Sequence, residues 1–64
     1  MGPPSPDALR ALRHDLSNPL AALLAETQLL LLGADQLGPE TVAGLKQIEA
    51  LARKMRQILS DAGA

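Results

Sequence analysis

The single histidine of the chain, His14, is followed directly by Asp15 and, one helical turn later, by Asn18 and Pro19. Side chains three and four residues apart are neighbours on a helix, so Asn18 is expected beside both His14 and Asp15. An imidazole with a pKa near ~6.5 is largely neutral at pH 7 and has a lone pair to offer. This group predicts a nucleophilic site suited to phosphoryl transfer to nitrogen, in which Asp15 holds the opposite ring N–H and stabilises the developing positive charge.

Helix geometry bears on this site in two ways. Consecutive side chains point about 100° apart, so Asp15 does not face the ring of His14 in an ideal helix. Pro19 cannot donate a hydrogen bond to the carbonyl oxygen of Asp15, and its ring crowds that oxygen, so we expect the helix to bend here. Either the bend brings Asp15 closer to the imidazole, or Asp15 acts through a water molecule.

Composition excludes most other kinds of site. The chain has no Cys, Phe, Trp or Tyr, which excludes disulfides, thiolate metal sites and aromatic platforms for nucleic-acid bases. Six Lys and Arg against seven Asp and Glu give a net charge of −1, which argues against a nucleic-acid partner. The five glycines are scattered and form no phosphate-binding loop. We therefore expect no cofactor and no metal site in this chain.

Two helices must position these residues. Ser5-Pro6-Asp7 is a typical helix start, because serine caps, proline fits the first helical position and an acid suits the positive end of the dipole. Gly33 is expected to end the first helix, and Pro39 to open the second. The sequence thus predicts an extended arm or expression-vector remnant over 1–5 and a helical hairpin over 6–61. Within the hairpin, helix 1 covers about 6–32, the loop 33–38 and helix 2 about 39–60.

The charges of the second helix follow its expected dipole. Glu40 lies near the start, and three basic residues, Arg53, Lys54 and Arg56, are expected in the last turns. Glu49 precedes Arg53 by four residues, the favourable order for an ion pair along a helix.

The apolar residues predict how the hairpin is buried. Helix 1 carries a three-four stripe, widened after the proline; its members are Leu9, Leu12, Leu16, Pro19, Leu23 and Leu30, then Leu20, Leu24, Leu29 and Leu31. Helix 2 repeats the spacing with Leu45, Ile48, Leu51 or Ala52, Met55, and Ile58 or Leu59. One partner helix cannot cover the apolar surface between Leu20 and Leu32. We therefore expect an all-α fold, an antiparallel two-helix hairpin that homodimerises into a four-helix bundle with His14 on its outer face.

The segment His14-Asp15-Leu16-Ser17-Asn18-Pro19-Leu20 resembles the H-box of sensor histidine kinases, which reads His, acidic residue, two variable positions, Thr or Asn, Pro, Leu. In that family the box lies on the first helix of the dimerisation and histidine-phosphotransfer domain, a hairpin that pairs into a four-helix bundle. The resemblance covers residues 8 to about 60. It implies that His14 is the phosphoacceptor, Asp15 its acidic helper and Pro19 the bending residue. Asn18 matches the residue that orients water in members that dephosphorylate their partner.

The resemblance also implies the partners of the chain. Protein-histidine kinase activity would need a separate ATP-binding domain that holds ATP and Mg²⁺, and the phosphoryl group would pass from His14 to an aspartate of a response regulator receiver domain. That receiver is expected to dock below His14, along a stripe of small and polar residues: Asn18, Ala21, Ala25 and Gln28. The alternative is that the alanines serve only as good helix formers, which explains the stripe equally well. Arg10 and Arg13 flank the histidine, either to attract phosphate or as solvated charges.

The chain carries no apolar run long enough for a membrane span and no secretory signal, so no membrane contact is expected. The resemblance implies a cytoplasmic location in a bacterium, either alone or as the cytoplasmic portion of a larger sensor. A fragment of a longer kinase is favoured over a stand-alone phosphotransfer module in a phosphorelay. The alternative from another class is a purely structural dimerisation hairpin. A DNA-binding helix-turn-helix is disfavoured, because the helices are too long and the surface carries no net positive charge.

Overall fold

The computed structural model describes residue 2 and residues 5–62, so the rest of the predicted N-terminal arm lies outside the described residues. Helix α1 spans Pro6–Leu32 and helix α2 spans Pro39–Ala62. A one-turn 3₁₀ helix, Ala34–Gln36, lies in the connection. No β-strand occurs in these described residues, and the all-α hairpin predicted from the sequence is confirmed.

Helix α1 begins with the cap that its sequence predicts. Ser5 has an extended backbone, and its hydroxyl oxygen accepts a hydrogen bond from the backbone N–H of Ala8 at 3.1 Å. Pro6 occupies the first helical position, where its missing N–H costs nothing, and Asp7 lies in the first turn. A serine cap of this kind stabilises a helix by about 1 kcal/mol. It anchors the helix two turns before His14.

The connection between the helices is closed by its own backbone. Gly33 donates its N–H to the carbonyl oxygen of Leu30 at 3.2 Å, and the N–H of Gln36 donates to Gly33 at 2.9 Å. Gly33 ends α1 with φ −97° and ψ 26°, so this stop does not use the left-handed conformation that favours glycine at helix ends. A Cβ added there would meet only the Leu30 oxygen, at 3.7 Å.

The expectation that basic residues complement the C-terminal dipole of helix 2 is wrong. Helix α2 continues to Ala62, and its last turn contains Asp61 but no basic residue. Arg56, the last of the three basic residues, therefore lies more than a full turn before the end, beyond the reach of the dipole effect. The carboxylate of Asp61 instead accepts a hydrogen bond from the Gln57 side chain at 2.9 Å.

A narrow apolar seam holds the two helices together. Leu20 and Leu24 of α1 are 5% exposed and Ala52 of α2 is 1% exposed, with Leu59 packed against them. Thr27, which interrupts the apolar run of helix 1 in the sequence, is also buried, and its hydroxyl donates to the carbonyl oxygen of Leu23 at 2.7 Å. That bond satisfies the polar group, which makes its burial tolerable.

The structure divides the predicted apolar stripe into a buried and an exposed part. The leucines that the three-four rhythm placed first stay largely open in the hairpin: Leu9, Leu12, Leu16, Leu23 and Leu30. The reason is rotational, since α2 contacts the face of α1 that carries Leu20, Leu24 and Thr27. On α2 the seam takes Ala52 and Leu59, whereas Leu51, Met55 and Ile58 are exposed.

Two of the exposed leucines, Leu16 and Leu23, join α2 in one open groove. We call this groove, with the exposed leucines Leu9, Leu12 and Leu30 on the same side of α1, the apolar flank. The groove has a volume of about 280 Å³ and is lined by Leu16, Pro19, Leu20, Leu23, Met55, Ile58 and Leu59. It pairs the first half of α1 with the last turns of α2, as an antiparallel hairpin requires. Soluble monomers rarely expose contiguous apolar surface of this kind, which usually marks an interaction site.

Candidate functional site

His14 lies in the exposed third turn of α1. At 3.6 residues per turn its side chain is about 120° around the helix from Leu20, on the side opposite to the apolar flank. The ring therefore belongs neither to the seam between the helices nor to the exposed apolar groove. A nucleophile in this position is accessible to an incoming phosphoryl donor.

An open groove surrounds the imidazole. It has a volume of about 520 Å³ and is lined by Asp7, Arg10, Ala11, Arg13, His14 and Ser17. The Nη1 atom of Arg10 lies 3.3 Å from Oδ1 of Asp7, in an ion pair between residues three apart. The groove thus combines a nucleophile with nearby cations. Asp7 and Ser17 were not singled out from the sequence, although they stand seven before and three after the histidine and so share its face.

The structure does not bring Asp15 to the imidazole. Asp15 is exposed and lies about 100° around the helix from His14, on the side away from Arg13. Within residues 5–62 no hydrogen bond or ion pair joins the side chains of His14 and Asp15. Asn18 is exposed one turn after His14, on nearly the same face. Of the two predicted polar neighbours, Asn18 therefore lies on nearly the same helix face as the ring, whereas Asp15 lies to one side of it.

Two features that favour helix bending lie on either side of His14. The hydroxyl of Ser17 donates to the carbonyl oxygen of Arg13 at 2.6 Å, sharing an acceptor that also serves the helix ladder. Pro19 lies inside α1 and provides no N–H for the carbonyl oxygen of Asp15. Back-bonding hydroxyls and interior prolines are both recognised causes of helix bending. The two features enclose the His14 turn.

The predicted docking residues Ala21, Ala25 and Gln28 are exposed on the His14 side of α1. Ala25 and Gln28 line a further open groove of about 460 Å³ together with Leu29 and Leu32. Leu29 was expected to widen the buried stripe, but it is 59% exposed, because it points away from α2. The surface of α1 that runs from His14 to the connection therefore becomes more apolar towards the connection.

Two absences concern only the described residues. Residues 5–62 contain no group of three or more His, Asp or Glu side chains that could hold a metal ion. In the same part of the chain, neither helix is both long and apolar enough to cross a lipid bilayer.

The family comparison matches nearly the whole hairpin. The model of the His Kinase A (phospho-acceptor) domain covers residues 7–62, which include all of α2, all of α1 except Pro6, and the full H-box. The chain belongs to this family. Comparison with curated proteins and with solved structures gave no match.

The suspected resemblance to the phosphoacceptor and dimerisation domain of histidine kinases is thereby confirmed. Membership gives this HisKA domain a phosphoacceptor and dimerisation role within two-component signalling. Because the family is defined by accepting a phosphoryl group on histidine, the exposure of His14 becomes the central fact of the site.

Proposed function

We propose that His14 is the residue phosphorylated by the ATP-binding domain of a two-component sensor histidine kinase, and that it passes the phosphoryl group to an aspartate of a response regulator. The observation that carries this proposal is the exposure of the only histidine of a HisKA domain, within an open groove on one helix. ATP and Mg²⁺ bind to the separate kinase domain and supply the phosphoryl donor and its charge neutralisation.

The chemistry uses one lone pair of the ring, which forms the N–P bond in the first step and returns to the ring nitrogen in the second. A nitrogen of His14 attacks the γ-phosphorus, the bond to ADP breaks, and the opposite ring N–H loses its proton to Asp15 or a water beside it. In the second step a regulator carboxylate attacks the phosphorus, the N–P bond breaks, and the ring takes up a proton. In this proposal the helix flexes at Pro19 so that Asp15 approaches the ring, and Asn18 orients a water when the regulator is dephosphorylated.

The apolar flank supports homodimerisation. Its exposed leucines leave the hairpin with much of its apolar surface in water, and chains below about 70–80 residues rarely reach more than ~3–5 kcal/mol from one core. A second hairpin placed on this flank covers it and completes a four-helix bundle. His14, Ala21, Ala25 and Gln28 stay outside such a bundle, because they lie on the other side of α1.

The test is labelling by a kinase ATP-binding domain with ATP labelled at the γ-phosphate. We expect an acid-labile, alkali-stable label on the wild-type chain and none on His14→Gln. Asp15→Asn should slow labelling by about 10²-fold, the usual loss of a general base. Asp35→Asn, the same change in the distant connection, should label at the wild-type rate.

Label that persists in His14→Gln would contradict the phosphoacceptor assignment. A wild-type chain that stays unlabelled by a donor that labels its own HisKA hairpin would leave only the structural dimerisation role. Transfer to a receiver domain, followed with the labelled chain, tests the second step. Reverse transfer from a phosphorylated receiver would instead indicate a phosphorelay shuttle.

A further inference from the structure

Arg10 stands between Asp7 and His14 on α1, three residues after the acid and four before the imidazole. All three line the same open groove. In the structure the guanidinium is paired with Asp7 at 3.3 Å, and the two side chains are 71% and 90% exposed. One cation therefore has two sites within its reach: an acid on one side and the nucleophile on the other.

Helix geometry directs the imidazole towards Arg10. Side chains on an α-helix lean towards its N-terminus and cover the turn before their own Cα. The ring of His14 therefore leans over the turn that carries Arg10, with the two Cβ atoms about 5–6 Å apart. A long, flexible arginine spans that gap easily. By contrast, Ser17 and Asn18 lie on the C-terminal side of His14, and the ring leans away from that side.

The second arginine of the groove is placed differently. Arg13 is half-buried and lies about 100° around the helix from His14, towards the face that α2 covers. Arg10 lies within about 40° of the ring and is exposed. Of the two flanking cations, Arg10 is the one on the side of the imidazole.

We infer that Arg10 leaves Asp7 and binds the phosphoryl group when His14 is phosphorylated, so that Asp7 and the phosphoryl group compete for one guanidinium. This inference deepens the proposed function and rests on it for its biological setting. An exposed ion pair three residues apart is weak and easily exchanged. A phosphoryl group offers more negative charge than a carboxylate and three acceptor oxygens, which a guanidinium binds through two parallel N–H groups.

The exchange can be tested on the intact chain without a kinase, by using phosphoramidate as the donor. The ring nitrogen of His14 attacks the phosphorus, the P–N bond of the reagent breaks, and the ring proton leaves with the amine as ammonium. We then follow the phosphohistidine by ³¹P NMR and measure its half-life. At low ionic strength Arg10→Gln should shorten that half-life about two- to fivefold, a factor typical of one exposed charge pair.

The matched control is Arg53→Gln. Arg53 also pairs with an acid of its own helix, Glu49 at 3.5 Å, but it lies on α2 outside the groove. We expect the wild-type half-life for this variant. Asp7→Asn, which removes the competitor, should lengthen the half-life. In about 1 M salt, where the Debye length falls to ~3 Å, the phosphohistidine half-lives of the three variants should approach that of the wild type. Circular dichroism checks that each remains helical.

A direct readout is the Nε–H signal of Arg10 in a ¹⁵N-labelled chain. It should shift on phosphorylation of the wild type, and the corresponding signals of Arg13 and Arg53 should stay in place. Equal half-lives for Arg10→Gln and Arg53→Gln, or a shift confined to Arg13, would overturn the inference. Because phosphoramidate needs no enzyme, these results are independent of the kinase test. If a kinase domain labels His14 but Arg10→Gln does not change the half-life of the phosphohistidine, only the exchange of Arg10 between Asp7 and the phosphoryl group is refuted.

Discussion

The two flanks of helix α1 differ in side-chain chemistry, although both follow the same seven-residue spacing. One flank repeats leucine every seven residues, at Leu9, Leu16, Leu23 and Leu30, and the other carries His14, Ala21 and Gln28 at the same interval. Seven residues complete almost two turns, so each series keeps to one side of the helix. The difference lies only in side-chain chemistry: branched aliphatic groups on one flank, small or polar groups on the other.

Helix α2 makes this division possible because it covers only a narrow part of the α1 surface. The seam between the helices uses Leu20, Leu24 and Thr27 and leaves both flanks open. A wider contact would have buried either the apolar flank or the His14 side. The narrow seam therefore leaves the leucine side and the His14 side of α1 exposed on opposite sides of the helix, as the proposed function requires.

The largest expected effect comes from a charge placed on each flank in turn. Leu23→Glu should raise the dimer dissociation constant at least about a hundredfold, because a homodimer carries the substitution twice, each buried leucine is worth about 1.5–3 kcal/mol and each charge adds a desolvation penalty. Sedimentation equilibrium measures the constant. Ala21→Glu, the same charge on the His14 side, should leave it unchanged. Equal weakening by both substitutions would show that the flanks do not differ as described.

The next effect separates the seam from the exposed leucines. Leu24→Ala should lower the free energy of unfolding by about 2–5 kcal/mol, because it opens a cavity between the helices. Leu29→Ala, which removes the same atoms from an exposed position, should change it by no more than about 0.5 kcal/mol. Urea denaturation followed by circular dichroism gives both values. Comparable losses would mean that Leu29 is covered in the assembled protein.

The smallest effect concerns the polar member of the seam. Thr27→Val keeps the shape and removes a hydroxyl whose partner, the Leu23 carbonyl oxygen, still receives the helix hydrogen bond. The free energy of unfolding should therefore change by less than about 1 kcal/mol. Thermal melting is sufficient to detect it, with Thr41→Val at an exposed position of α2 as the control. A loss well above that figure would show that the hydroxyl has a second partner in the bundle.

Much of the hairpin could be predicted from local signals. The Ser5-Pro6-Asp7 start, the stop at Gly33 and the new start at Pro39 act over a few residues, where capping and backbone geometry decide the outcome. The H-box was recognisable because its residue types follow one another directly. The place of Asp7 and Ser17 in the groove beside His14 was not predicted, although their spacing from His14 puts them on its face.

The rotational setting of the helices could not be predicted in the same way. Heptad spacing shows that several leucines share a side of α1, but α2 can pack against any part of a broad apolar stripe. The structure places Ala52 against Leu20 and Leu24, which turns Leu29 outwards and brings Thr27 in. The C-terminal end of α2 could not be predicted either, because nothing in Ser60-Asp61-Ala62 stops a helix. The position of the basic residues relative to that end therefore could not be predicted.

By itself the sequence determined two helices, their turn and a histidine set apart from the leucine repeat, because each of these depends on neighbours within a turn or two. Only the tertiary structure decided which leucines meet α2 and which remain exposed. That choice depends on how the 33–38 connection orients the helices, and so on contacts between residues nearly thirty positions apart, such as Leu24 and Ala52.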